Sequence, residues 1–198
     1  MERRRTIRFD IARGRLDSQD GMAAGDRTNI GRLRDLVIAS EDLFVKPVAL
    51  EILARRDHSD RELRTKLRRR GFSVSVIDSV LRELSSLGYQ SDQRFAESWV
   101  RSAMRRGDRS RNFLIAGLQT KGVSRDLAEQ TIYRYAAEHP GCFDTALLEA
   151  LRQTVRRVAP DAVWEEDTVH LSFDARKSVT SRLIRRGFST KEIQRHFA

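Results

Sequence analysis

A single phrase, written three times, limits what this chain can fold into. KLRRRGFS ends at Ser73, LQTKGVS at Ser124 and LIRRGFS at Ser189. Aligned on Gly71, Gly122 and Gly187, the copies place Leu67, Leu118 and Leu183 four residues before the glycine, and Leu63, Leu114 and Val179 eight before it. After the glycine come an apolar residue (Phe72, Val123, Phe188), a serine, and a further apolar residue at Ile77, Ala128 and Ile193. A seam repeating every four residues is one face of a helix. Glycine tolerates the left-handed conformation that ends a helix, and the next apolar residue packs back on the last turn. The serine oxygen then accepts orphan amides of a second helix. The phrase is therefore a tight helix-to-helix corner.

A further helix is expected ahead of each corner. Pro47 stands at the start of VALEILARR, and Ser91 can cap DQRFAESWVRSAMRR, which stops at Gly107. Ser59 and Glu62 form an S-x-x-E capping box for the helix that runs to Arg70, and Ser110 fills the matching position of the second copy. The third unit is longer, and its surplus is assigned to VAPDAVWEEDTVHLS, between its first and second helices. No convincing strand alternation is present. The expected fold is all-α: three tandem three-helix repeats (47–89, 90–138 and 139–198) in an elongated, curved array, behind a poorly ordered N-terminal arm over residues 1–46.

Composition supports a high-surface shape, because 39% hydrophobic residues stand against 33% charged ones. The formal net charge of +10 predicts attraction to polyanions or to an acidic protein face, weakened by salt. Residues 49–137 hold 18 basic and 11 acidic residues, so the excess concentrates on the first two units. Cys142 is alone, which suits a reducing, cytoplasmic compartment. MERRRTIRFDIARGRL lacks the apolar core of a signal peptide, and no apolar run approaches the ~18 residues of a membrane span.

Candidate binding residues are the basic ones. Arg61, Arg64 and Arg68 share one helix face opposite Leu63 and Leu67, with Arg69 and Arg70 beside them; Arg94, Arg101 and Arg105 share a second face opposite Phe95, Trp99 and Ala103, and Arg106 is a further candidate. Lys121, Arg185 and Arg186 stand at the second and third corners. An ordinary solvated face is the competing explanation, with Asp57, Asp60 and Glu62 close by. Phe72, Phe95, Trp99 and Phe188 occupy corner or seam positions and are read as core, not as base-stacking platforms; Tyr89 is less determined. His58, His139, His170 and His196 lack metal-ligand spacing and are assigned to the surface, and the acidic cluster Glu165, Glu166 and Asp167 is read as a loop. No phosphate-cradling loop, dinucleotide fingerprint or nucleophile elbow occurs, so neither catalysis nor a cofactor is expected.

The combination ILARRDHSDRELRTKLRRRGF, GYQSDQRFAESWVRSAMRRG, LQTKGVS and SVTSRLIRRGFSTKEIQRHF, in that order, resembles RecX, the regulatory protein of the bacterial recombinase RecA. The resemblance covers about residues 47 to 198. It implies a monomeric helical-repeat protein that binds the groove of RecA–DNA filaments and modulates, mainly inhibits, ATP hydrolysis and strand exchange in DNA repair and recombination. Partners implied are the RecA filament and single- and double-stranded DNA, the latter held weakly and salt-sensitively, with no membrane. Trp99, Asp92 and Gly117 depart from the family pattern. Gly117 lies inside a helix, where it costs roughly 0.5–1 kcal/mol relative to Ala, so the second unit is expected to be softer there or closely approached by a partner. The alternative is an autonomous DNA-binding protein using LRTKLRRRGFSVSVIDSVLREL as a helix-turn-helix, although its second helix is largely apolar, with Arg82 as its lone basic residue.

Overall fold

The computed structural model describes residues 44–198. The expected arm lies outside the described residues except for residues 44–46, which are already helical. Two compact units divide the chain: one ends at Gln90 and omits Asp57–Arg61, and the other joins Asp57–Arg61 to Ser91–Ala198.

In the first unit, α1 (44–55), α2 (Asp60–Arg69) and α3 (Val74–Ser86) enclose one core. Val45, Ala49 and Ile52 of α1 meet Leu63 and Leu67 of α2 and Val76, Ile77, Val80, Leu81 and Leu84 of α3. Pro47 does not start α1 as expected, because the buried register begins at Val45 and carries the helix across the proline. Lys46 pairs with Glu83, and Arg64 of α2 with Asp78 of α3.

The second unit contains α4 (Asp92–Met104), α5 (Arg111–Thr120), α6 (Arg125–Glu138), α7 (Cys142–Val158), α8 (Phe173–Arg185) and α9 (Thr190–Gln194). One core gathers Phe95, Val100, Leu114, Leu118, Val123 and Ile132 with Phe143 and Ala146 from the first turns of α7. Leu147, Ala150, Leu151 and Val155, further along α7, build another with Val179, Leu183, Phe188 and Ile193. With 17 residues, α7 is long enough to serve both cores. This sharing makes one compact unit of six helices.

All three corners close with the same bonds. Gly71, Gly122 and Gly187 have φ of 93°, 92° and 87°, in the left-handed region. The amides of Phe72, Val123 and Phe188 reach back to the carbonyls of Leu67, Leu118 and Leu183 at 3.4, 3.1 and 3.2 Å. This is a Schellman closure, which satisfies carbonyls that a helix end would otherwise strand. The following serines differ. Ser124 accepts from Leu127 N–H, and Ser189 forms a full capping box with Glu192, whereas Ser73 occupies the N-cap without a side-chain cap bond. The Ser189 box was not singled out in the sequence, although S-x-x-E is legible there.

The surplus expected in VAPDAVWEEDTVHLS falls between α7 and α8, but it is not merely a loop. Val163–Glu165 (β1) and Thr168–His170 (β2) pair antiparallel, with Trp164 opposite Val169. Val169 is fully buried and exchanges backbone hydrogen bonds with His196 and Ala198. Three residues per strand are too few for alternation to be read. The turn also lacks the glycine that usually announces a hairpin; Glu166 itself takes the left-handed conformation at φ 52°. The acidic cluster is thus at the tip of a hairpin, and the other regular elements among the described residues are helices.

Candidate interaction site

On α2 the anticipated ridge shortens to a cluster at the helix end. Arg64 is held by Asp78. Arg61 belongs to the segment packed into the second unit, its stem against Gly122. Arg68, Arg69 and Arg70 are exposed, together with Lys66, and pair with no carboxylate among the described residues. They surround the C-terminal end of α2, whose partial negative charge favours cations by roughly 0.3–1 kcal/mol each. One cation satisfies that requirement; three or four of them present a positive surface.

The second unit has its own cluster. Arg94 reaches Asp57 at 3.5 Å, while Arg101 on the last turn of α4 and Arg105 and Arg106 in the turn that follows it are exposed. Arg105 donates to the Ser102 hydroxyl at 3.1 Å. Nearby, burial raises the Tyr135 phenol above its ordinary pKa, with Cys142 adding to the shift and Arg101 opposing it. Burial likewise pushes the Cys142 thiol up.

The corner cations are used unequally. Arg185 is exposed on α8. Arg186 turns inward, donating to the Asp108 carboxylate at 2.6 Å, to the Asp108 carbonyl at 3.2 Å and to the Ala150 carbonyl at 3.4 Å. It is a brace inside the second unit. Lys121 is half-buried, and its backbone carbonyl accepts the Ser59 hydroxyl proton at 2.6 Å. Ser110 makes the same bond to the Arg186 carbonyl at 2.7 Å, and Asn112 adds one to the Gly187 carbonyl at 3.0 Å. The sequence expected Ser59 and Ser110 only as helix caps; their bonds to the corner carbonyls, and the parts of Asp108 and Asn112, escaped it. Their signal was an Asp-x-Ser fourteen and twelve places before two of the corner glycines, Asp57 and Ser59, then Asp108 and Ser110.

Phe95 and Phe188 are buried, and Phe72 and Trp99 pack against the cores, as their seam positions require. Arginines cover two further rings: Arg109 lies 4.5 Å from the Phe113 centroid and Arg111 4.1 Å from that of Phe143. His58 corrects the expected surface placement of the histidines. It is 2% exposed, enclosed where Asp57–Arg61 packs into the second unit. His139 stacks on Tyr135 with centroids 4.3 Å apart. Among the described residues no group of metal-ligating side chains is assembled, and no helix is long and apolar enough to cross a membrane.

The chain matches the models for the first three-helix domain of RecX over residues 48–84 and the second over residues 91–132. A regulatory protein RecX from Prosthecochloris aestuarii is 31% identical over 146 residues, which cover 74% of this chain and 86% of that relative. Another from Clostridium acetobutylicum is 23% identical over 174 residues, 87% of this chain and 76% of the relative. A crystal structure of a regulatory protein RecX superposes with a TM-score of 0.70 at 14% identity, covering 88% of this chain and 80% of its own. RecX from Lactobacillus salivarius gives 0.61 at 22% identity, covering 79% and 94%. The helical architecture is shared with both structures. The identity and coverage shared with the Prosthecochloris protein extend beyond architecture, and this chain belongs to the RecX family of regulatory proteins.

Proposed function

We propose that this protein binds RecA nucleoprotein filaments and restrains their ATPase and strand-exchange activities, acting as a cytoplasmic monomer by contact and not by catalysis. The observation that carries the reading is the pair of exposed arginine clusters, Arg68–Arg70 at the end of α2 and Arg101, Arg105 and Arg106 at the end of α4, on a chain of the RecX family. Such clusters suit phosphates or acidic protein faces, and they make weak, salt-sensitive contact with single- and double-stranded DNA. In this reading residues 47–89, 90–138 and 139–198 are three repeated modules, with Arg185 adding a cation on the third.

A helix-turn-helix reading is less favoured. It needs α3 to present side chains to base edges, yet Val76, Ile77, Val80, Leu81 and Leu84 of that helix are buried and Arg82 donates to the Asp78 carbonyl. The test is RecA's ATPase on single-stranded DNA, titrated with this protein. The rate should fall at low stoichiometry. A flat titration, with duplex binding by the protein alone, would support autonomous DNA binding instead.

A further inference from the structure

In the second unit, both Asp-x-Ser pairs grip a glycine corner. Asp57 engages Arg94, and Ser59 donates to the carbonyl of Lys121, beside Gly122. Asp108 engages Arg186, and Ser110 donates to the carbonyl of Arg186, beside Gly187. The glycines permit the approach. A Cβ on Gly122 would lie 2.4 Å from that of Arg61, and one on Gly187 would lie 2.6 Å from Ser110 Oγ. On α8 the corresponding positions, fourteen and twelve before Gly187, are Phe173 and Ala175. Neither can pair with an arginine or donate to a carbonyl.

What replaces the grip is an open apolar groove of about 460 Å³ along α8. Phe173 and Ile184 contribute to its lining and remain 80% and 45% exposed. Phe197 also lines it, and Arg176, Lys177 and Arg185 supply three cations with no carboxylate among the lining residues. Arg176 is partly engaged, since it lies over the Phe197 ring at 5.2 Å and donates to the Ala198 carbonyl. Lys177 and Arg185 are exposed and pair with no carboxylate among the described residues. A concave apolar surface with cationic rims is the pattern of an interaction site.

We propose that this groove on α8 docks an acidic amphipathic helix from another protein, with its apolar edge against Phe173 and Ile184 and its carboxylates on Lys177 and Arg185. Charge selects this occupant. A second copy, at net +10, would bring further cations to the groove. A lipid surface favours protruding apolar side chains, not a concave lining. Nucleic acid gains nothing from Ile184, which has no ring on which a base can stack. The inference does not depend on RecA and goes beyond the arginine clusters proposed above.

The probe is a short fluorescein-labelled helical peptide with leucines at i, i+3, i+4 and i+7 flanked by glutamates, beside a twin carrying lysines. Fluorescence anisotropy should register binding of the glutamate peptide only. Phe173→Asp, at an exposed site that leaves the fold intact by circular dichroism, should weaken that binding at least about tenfold. Lys177→Glu with Arg185→Glu should transfer preference to the lysine peptide. Equal binding of the two peptides, or indifference to Phe173→Asp, overturns the proposal. So does binding to phosphatidylserine vesicles that Phe173→Asp abolishes while the peptide fails to bind. Dimerisation lost in Phe173→Asp by sedimentation would identify a second copy as the occupant and reject the helix.

Discussion

At the scale of single residues, Gly117 and Trp99 are made for each other. A Cβ on Gly117 would lie 2.4 Å from Trp99 Cη2 and 2.9 Å from Cζ2, so the indole fits only because the helix lacks a side chain there. Trp99 and Gly117 thus form one complementary contact, and the close approach expected at Gly117 is made by the chain's own tryptophan. Gly117→Ala should destabilise by about 1–3 kcal/mol through overpacking, although alanine alone would favour the helix by roughly 0.8–1 kcal/mol. Adding Trp99→Phe should recover much of that loss. Urea unfolding of the two single variants and the double variant gives the coupling, and additive effects would refute the fit.

Glu192 makes a separate prediction at this scale. Burial opposes its ionisation, but hydrogen bonds from the Ser189 hydroxyl and amide, with Arg111 and Arg195 nearby, hold the carboxyl below its ordinary range. A lowered carboxylate pKa contributes stability above the unfolded value, near about 4.3, and loses it as pH falls through the folded one. Glu192→Gln should therefore be less stable than the parent at neutral pH, with the difference closing below about pH 4. Thermal melts across that range test the sign.

At the scale of the element, the three corners share one backbone but not one environment. Gly71 would meet nothing within 4 Å if given a Cβ, whereas Gly187 would strike Ser110 Oγ and come within 3.2 Å of the Phe113 amide nitrogen. Left-handed strain costs roughly 1–2 kcal/mol for any L-residue, so Gly71→Ala should lose about that much. Gly187→Ala should lose distinctly more, since it also breaks the Ser110 grip. Equal melting-temperature shifts would mean that the grip adds nothing. The Gly-apolar-Ser phrase makes the closure itself legible. What packs beside each corner decides how its glycine is used, and for Gly187 the colliding atoms lie about 75 residues away in sequence.

Charge belongs to the element as well. Reversing Arg68 and Arg69, which are exposed and unpaired with carboxylates among the described residues, should weaken filament binding without changing helicity. Reversing Arg64 should cost stability instead, because Asp78 would face a like charge. Inhibition assays paired with circular dichroism separate the two outcomes. Sequence spacing had grouped Arg61, Arg64 and Arg68 as equals. Whether a cation is free depends on which carboxylate folding brings beside it.

At the scale of the whole molecule, α7 links two cores, and its perturbation should spread. Leu147 is buried in the more distal cluster, one residue beyond Ala146 in its neighbour. Leu147→Ala should cost about 2–5 kcal/mol and lower the unfolding midpoint of residues 91–198 as one transition. Hydrogen exchange that loosens only α8 and α9 would show the cores to be independent. Nucleic-acid affinity should fall with salt at a logarithmic slope of about −0.7 per phosphate contacted on single strands. Charge reversal of Arg101, Arg105 and Arg106 together should flatten that slope by about 2 if they reach phosphates.

What the sequence by itself determined is the repeated corner, the apolar seams of the helices that flank it, the all-α class and the family. Each of these rests on local spacing or on motifs in order, and local spacing survives in a linear chain. The tertiary structure alone decided the hairpin at Val163–His170, the burial of His58, the inward turn of Arg186 and the pairing of Gly117 with Trp99. Each depends on groups distant in sequence arriving within a few ångströms, where packing volume, desolvation and charge pairing are set by neighbours the spacing pattern does not name.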